Sequence, residues 1–303
     1  MYDIIIVGAG PAGMTAALYA LRANKKVLVL EAKTYGGQIV KANIVENYPG
    51  IPKVSGVDFA TNLYNQIIDL GCEVKFETVI RITKEKEVIT TKDKYQASAI
   101  ILATGAENRR LNIERENEYV GRGISYCATC DGNFYKDKVV AVVGGGNTAL
   151  EDALYLASIA KKVYLIHRRD EFRAEDRYIT SVKQLSNVEI IYNANVTSLV
   201  GDDFLTNIVI TKQDGDLNIP LDGLFIAVGQ EPKNQIFADI INLNQYGYIE
   251  SEDGVHTNQE GIYVAGDARV KELRQLTTAV SDGTVAAIEA IKYINREGED
   301  KNV

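Results

Sequence analysis

Apolar and polar positions fall into blocks along this chain, and one sequence of blocks occurs twice. Tyr2–Val7 is a short, β-branched apolar run, the pattern of a strand buried on both faces of a parallel sheet. It leads into Gly8-Ala9-Gly10-Pro11-Ala12-Gly13, then into a helix-compatible stretch, Met14–Ala23, and then into a strand, Val27–Leu30, that ends at Glu31. The order returns at Val139–Val143, which runs into Gly144-Gly145-Gly146-Asn147-Thr148-Ala149, a helical stretch Leu150–Ala160, and a strand Val163–Ile166 that ends at His167-Arg168-Arg169. Each copy has the spacing of a dinucleotide-binding βαβ unit, G-x-G-x-x-G in the first and G-x-G-x-x-A in the second.

Each unit is followed by a further strand that ends in glycine. Ala99–Ala103 leads to Thr104-Gly105, and Leu224–Ala227 leads to Val228-Gly229. A third such strand, Gly261–Ala265, leads to Gly266-Asp267 and a final helix over Leu276–Ile294. That last piece has no counterpart in the second unit, so it is assigned back to the first. The expected fold is α/β, with two Rossmann-like dinucleotide-binding domains, one of them discontinuous. The expected boundaries are 1–110 with 237–303 for one domain and 111–236 for the other. Polar segments near Glu107–Glu118 and Glu231–Gln235 mark the crossings, and neither has the Gly/Ser content of a loose linker.

A dinucleotide pyrophosphate must approach backbone N–H groups at a helix N-terminus. Gly8 and Gly144 permit the tight turn, Gly10 and Gly146 clear the phosphate position, and Gly13 and Ala149 allow helix and strand to pack closely. Glu31 and His167 stand at the same offset from Gly8 and Gly144, at the position that selects the ribose. A carboxylate there accepts from ribose hydroxyls. The second slot instead holds His167-Arg168-Arg169 with Arg173 following, and guanidinium groups pair with a 2′-phosphate. The first site is therefore expected to take an unmodified adenosine ribose, and the second to prefer NADPH over NADH.

Charge and cysteine usage narrow the picture. A net charge of −8 opposes binding to nucleic acid or an anionic membrane surface. No basic leader precedes the first strand and no apolar run reaches spanning length, so the expected compartment is the cytoplasm. A structural disulfide framework is not expected there, which leaves Cys127-Ala128-Thr129-Cys130 as a redox pair or half of a zinc site. Zinc wants four ligands, and only Cys72, His167 and His256 remain, none with finger spacing; no metal is expected. Two cysteines this close cycle between dithiol and disulfide, and the adjacent Asp131 is placed to move the proton. Cys72 reads as a packed residue entering a strand.

Over nearly its whole length the chain resembles the low-molecular-weight thioredoxin reductases. The segments that carry the likeness are Gly8–Gly13, Gly36-Gly37-Gln38, Glu46–Gly50, Ala103-Thr104-Gly105, Cys127–Gly132, Gly144–Ala149, His167–Ala174, Gly266-Asp267 and Arg274-Gln275. The resemblance implies FAD in the first domain and NADPH in the second. It places Gly8, Gly10, Pro11, Ala12, Gly13 and Glu31 around the ADP half of FAD. Gln38 and Asn47 would approach the isoalloxazine side, Asp267 would bind the ribityl or pyrophosphate region, Arg274 and Gln275 would border the flavin, and Gly37, Ala103, Thr104 and Gly105 would also belong to the cofactor site. Gly144, Gly146, Asn147, Thr148, His167, Arg168, Arg169 and Arg173 would hold NADPH. It further implies that Cys130 faces the flavin, Cys127 attacks the disulfide of thioredoxin or a similar small dithiol protein, and Asp131 is the acid/base. A homodimer, and a domain rotation that alternates nicotinamide and disulfide at the flavin, belong to the same implication. Asn133 and Leu273 depart from residues common in the family. A relative drawing electrons from ferredoxin is opposed by the intact second glycine loop and its arginines. A different small dithiol partner stays open on the sequence, while a flavin-binding redox sensor without turnover is opposed by the intact thiol pair and second glycine loop.

Overall fold

The structure, a computed structural model, describes residues 1–251 and 254–300. The chain opens with β1 (Tyr2–Val7), α1 (Pro11–Arg22), β2 (Val27–Glu31), α2 (Gly56–Asp69), β3 (Glu73–Phe76), β4 (Val79–Ile82), β5 (Glu87–Thr90), β6 (Lys94–Leu102) and β7 (Ala106–Asn108). It continues through α3 (Glu116–Tyr119), β8 (Ile124–Ser125), α4 (Ala128–Asp131), β9 (Val139–Gly144), α5 (Asn147–Ala157), β10 (Lys162–Ile166), α6 (Asp176–Lys183) and β11 (Val188–Ile191). Then come β12 (Asn195–Gly201), β13 (Leu205–Lys212), β14 (Gly215–Pro220), β15 (Gly223–Ala227), β16 (Gln230–Pro232), β17 (Ile262–Val264) and α7 (Leu276–Asp300).

Two compact units result. One comprises Met1–Glu107 and the chain from Glu231 onward; the other is Asn108–Gln230. In the first, β3-β2-β1-β6 lie side by side in parallel and β17 adds to β6, also in parallel. An antiparallel β4-β5 ribbon extends from β6. In the second, β11-β10-β9-β15-β8 form a parallel sheet, and β12-β13-β14 form a separate antiparallel meander. The two crossings, β7 and β16, pair with each other.

The apolar strands behave as strands buried on both faces must. Along β1, Ile4 and Ile6 enter one core cluster, while Ile5 and Val7 enter another on the opposite face. The first of these clusters holds the alanine-rich face of α1 against α7. Their approach is set by Gly283, where a Cβ would stand 2.2 Å from the Ala12 carbonyl oxygen. Helix α1 begins at Pro11, three residues before the apolar periodicity becomes legible, because its first turn is built from the glycine loop itself. Proline suits that turn, since its missing N–H has no helical acceptor there. Helix α7 runs to Asp300, past Ile294, through a polar stretch without periodicity. Cys72 is buried just before β3, and desolvation pushes its thiol pKa up to about 12.

Candidate functional site

The first glycine loop is shaped by contacts that exclude side chains. Gly8 has a φ of +108°, and a Cβ there would lie 2.4 Å from the Ala103 carbonyl oxygen; one on Gly13 would lie 1.9 Å from the Gly8 carbonyl oxygen. At Gly10 a Cβ would meet no protein atom within 4 Å, so space is open in front of α1. That helix start leaves backbone N–H groups for an anion. Glu31, ending β2, is oriented by two backbone donors: Ala9 N–H at 2.9 Å and Lys33 N–H at 2.9 Å. One oxygen serves each donor, which fixes the carboxylate beside the loop with lone pairs to spare.

The remaining residues of this site come from distant stretches of one unit. Gly37 opens a tight turn, Gly37–Lys41, with a φ of +60°. In that turn Gln38 donates to the Ala106 carbonyl at 2.9 Å. The Asn47 amide reaches Gln275 at 3.4 Å, and the Arg274 guanidinium lies 4.2 Å from the centre of the Tyr248 ring. Ala103 is buried at the end of β6, and the Thr104 hydroxyl donates to Asn234 at 2.7 Å, with Gly105 following at positive φ. Asp267 sits in the short turn Gly266–Ala268 after β17. Burial pushes its carboxyl above the ordinary range, and Lys271 and Arg274 draw it back. Among the described residues, Asp267 Oδ1 and Arg274 Nε are buried without a hydrogen-bond partner. Such atoms are costly unless a ligand completes them, and a polar cofactor chain with hydroxyl and phosphate groups has the chemistry to do so.

Two residues missed in the sequence hold this site together. Asn234 is fully buried. It accepts from Thr104 and donates to the Gly247 and Ala268 carbonyls at 3.0 and 2.9 Å, so it ties the turn after β6 to the turn that carries Asp267. Asp282 on α7 accepts from Gly266 N–H, Arg269 and Lys271, and so fixes the segment flanking Asp267. Burial raises the Asp282 carboxyl, but its hydrogen bonds from Arg269 and Lys271 outweigh burial and leave it below the ordinary range. A single buried asparagine or aspartate carries no spacing signal.

The second loop repeats the first. A Cβ on Gly144 would stand 2.3 Å from the Ala227 carbonyl oxygen, and one on Gly146 would meet nothing within 4 Å. Asn147 and Thr148 form the first turn of α5. Asn147 and Glu175 clamp each other: Asn147 Nδ2 donates to the carboxylate at 2.8 Å, and Glu175 N–H donates to Asn147 Oδ1 at 2.9 Å. His167 is buried against the loop, close enough that a Cβ on Gly145 would fall 2.1 Å from its ring. Its Nε2 faces the Glu171 carbonyl at 2.9 Å, the geometry of a protonated Nε2 that donates. Desolvation lowers its pKa, and the charges of Arg169 and Arg168 act the same way, against backbone hydrogen bonds that raise it. His167 therefore props the loop as a neutral ring. Arg168 and Arg173 are exposed and Arg169 is half-buried; among the described residues none of the three has an ion-pair partner. The Arg173 N–H also bonds to the Gly145 carbonyl at 2.8 Å, which holds the arginine segment against the loop.

In the same unit Cys127 and Cys130 are joined by a disulfide across the turn of α4. Cys127 is half-buried and Cys130 exposed. Asp131 follows directly; burial raises its carboxyl above the ordinary range, and a hydrogen bond from Ser125 pulls it down. An exposed disulfide beside a carboxyl that resists ionisation can take up an electron pair and supply the accompanying proton.

The whole length of the chain has relatives. The sequence pattern of the family described as pyridine nucleotide-disulphide oxidoreductase matches residues 2–283. A Clostridium pasteurianum protein described as a 34.2 kDa protein in the rubredoxin operon is 42% identical over 300 residues, 96% of this chain and 97% of its own. The thioredoxin reductase of Mycoplasma genitalium is 42% identical over 296 residues, 95% of this chain and 94% of its own. The crystal structure of thioredoxin reductase from Streptococcus pyogenes superposes with a TM-score of 0.93 at 38% identity, covering 98% of this chain and 99% of that one.

Proposed function

The chain belongs to the pyridine nucleotide-disulphide oxidoreductases, and on that premise we propose that it reduces the disulfide of thioredoxin with electrons from NADPH carried by FAD. The observation that carries this reading is the Cys127–Cys130 disulfide beside the half-buried Asp131, in a chain whose close relatives bear the name thioredoxin reductase. FAD, when bound, accepts a hydride from the nicotinamide and delivers an electron pair to the disulfide.

The residues around Gly8–Gly13, with Glu31, Gly37, Gln38, Asn47, Ala103, Thr104, Gly105, Asp267, Arg274 and Gln275, hold FAD. The orphaned Asp267 Oδ1 and Arg274 Nε supply its unfilled hydrogen bonds. Gly144, Gly146, Asn147 and Thr148 receive the NADPH pyrophosphate, Arg168, Arg169 and Arg173 pair with its 2′-phosphate, and His167 supports the loop from beneath. On this reading the unit Met1–Glu107 with Glu231 onward is the FAD domain, and Asn108–Gln230 is the NADPH domain that also carries the redox pair.

The disulfide takes two electrons and its S–S bond breaks. Asp131 gives its proton to the departing Cys127 sulfur and then, as the base, takes it back to leave the Cys127 thiolate. The Cys127 thiolate then attacks the partner's disulfide, forming a mixed disulfide and releasing one partner thiolate, which takes up a proton. Cys130 resolves the mixed disulfide, which frees the second partner thiol and restores the Cys127–Cys130 bond. The partner is thioredoxin or a similar small dithiol protein, the working form a homodimer, and the compartment the cytoplasm. Among the described residues no helix is long and apolar enough to cross a membrane.

Anaerobic titration of the flavin-loaded protein with NADPH, then addition of a bacterial thioredoxin and a thiol-reactive dye, tests the proposal. The expected result is bleaching by NADPH and thiols on thioredoxin. Cys127→Ser should still bleach but yield no thioredoxin thiols. No bleaching of the wild-type protein, or continued turnover by Cys127→Ser, overturns the corresponding step.

A further inference from the structure

Ser125 has no part in the sequence argument, yet it contacts both halves of the redox turn. It ends β8, whose register against β15 pairs Ser125 with Phe225, and it is 4% exposed. Its Oγ lies 2.6 Å from Asp131 Oδ2, 3.0 Å from the Cys127 backbone nitrogen and 3.3 Å from the Cys127 carbonyl oxygen.

A hydroxyl has one proton to donate and two lone pairs to accept with. The Cys127 N–H occupies one lone pair. The proton has two acceptors in reach, and an ionised Asp131 wins it, because charge-assisted hydrogen bonds are shorter and stronger than neutral ones. Once Asp131 is protonated, its own O–H can donate to the second lone pair of Oγ. The serine proton then turns to the Cys127 carbonyl at 3.3 Å. The hydroxyl proton thus has an acceptor in both states, Asp131 Oδ2 in one and the Cys127 carbonyl oxygen in the other.

We propose that Ser125 is a positioning residue for the proton step at Asp131, holding the carboxyl in both protonation states by switching its hydroxyl between Asp131 Oδ2 and the Cys127 carbonyl oxygen. The proposal rests on Asp131 being the acid/base of the disulfide step. Ser125 gives up no net proton; the proton that reaches the departing sulfur is the one Asp131 held. Without the hydroxyl, the half-buried carboxyl would lose its orienting partner whenever it ionised, and reprotonation would begin from a disordered side chain.

Few other charges act at this point. Tyr135, in the turn after α4, is raised to about 12 by burial first, then by the charges of Asp131 and Asp222. Helix α5, which packs on α4, brings Glu151, Asp152 and Tyr155; burial raises Asp152 to about 7, with Glu151 adding to it. Strand β8 contributes no titratable side chain.

The test uses full-length, FAD-loaded protein carrying Ser125→Ala, the shape-matched pair Ser125→Thr and Ser125→Val, Asp131→Asn, and the double variant Ser125→Ala/Asp131→Asn. Flavin reduction by NADPH precedes the Asp131 step and should be unchanged in the Ser125 single variants, which verifies folding and cofactor load. For thioredoxin reduction, Ser125→Ala should lower kcat by about tenfold, the scale of one lost hydrogen bond to a charged group. It should also move the alkaline limb of the pH profile upward, since the carboxylate loses its donor. Thr should keep the wild-type limb and Val should shift it. In the Asp131→Asn background, Ser125→Ala should add nothing. An unmoved limb, an equal loss in the Asp131→Asn background, or identical behaviour of Thr and Val overturns the proposal. If Ala fails to load FAD, the Thr/Val comparison alone decides. Failure of the wild-type protein to reduce thioredoxin would strike the functional reading instead.

Discussion

At the scale of residues, charge and burial divide the work. Among the described residues the three arginines after β10 keep guanidinium groups without ion-pair partners, whereas Arg269, at 17% side-chain exposure, is committed to Asp282. A cation without a carboxylate partner is available to a phosphate; one already paired is not. Arg168→Ala with Arg169→Ala should therefore raise the Kd for NADPH by about 100-fold, at about 1.4 kcal/mol per tenfold and two lost charge-assisted contacts. NADH binding should change little, because it lacks the 2′-phosphate. Isothermal titration with both nucleotides checks this, and equal losses would remove the clamp.

Elements bring such residues together when packing forces a fixed approach. Helix α7 presses on α1 at Gly283, and from the next residue toward its N-terminus it sends Asp282 to the turn that carries Asp267. Lys271, at 6% side-chain exposure, depends on that carboxylate. Asp282→Asn would leave two cations poorly paired in the interior, at a cost of about 3 kcal/mol on the scale of broken buried pairs. The pH sign follows from a carboxyl held below its ordinary value in the fold. Its stabilising contribution is complete above the unfolded pKa of about 4, and is lost as pH falls through the lower folded value. Thermal unfolding between about pH 7 and pH 3 should show the wild-type protein losing stability below about pH 4. Asp282→Asn should start lower and lose less over that window, and parallel curves would count against the assignment.

Across the whole molecule, each hydrophobic core is drawn from one unit only. The second unit is also one uninterrupted stretch, Asn108–Gln230, with a parallel sheet that is complete within it. A separately expressed chain of residues 108–230 is therefore expected to unfold cooperatively and to form the Cys127–Cys130 disulfide, without the yellow of bound flavin. Circular dichroism, thiol counting and absorbance provide the check. A chain that fails to fold would show that its stability depends on the flanking stretches. The first unit consists of two separate stretches, because β17 and α7 return to a sheet that begins at Tyr2. The unmatched third glycine-ended strand in the sequence already pointed to that return.

Both βαβ units, their glycine loops, Glu31, the arginine cluster and the C-x-x-C were legible in the linear sequence, because each depends on local spacing. A strand with two buried faces must be continuously apolar, a pyrophosphate loop must lack side chains, and a dithiol pair must be close in sequence to close a small ring. The antiparallel β12-β13-β14 meander and the β4-β5 ribbon were not legible, since β4, β12 and β14 mix exposed and buried positions without a clean alternation. Asn234, Asp282, Glu175 and Ser125 were equally silent. Each is an ordinary polar residue whose importance comes from partners that only folding brings within hydrogen-bond reach: Thr104 to Asn234, Asp282 to Arg269, Asn147 to Glu175, and Ser125 to Asp131. Sequence alone determined which chemistry the chain carries, because reactive groups and phosphate loops are written as local motifs. Tertiary structure alone decided how those groups are held, because burial and long-range hydrogen bonds have no period to read.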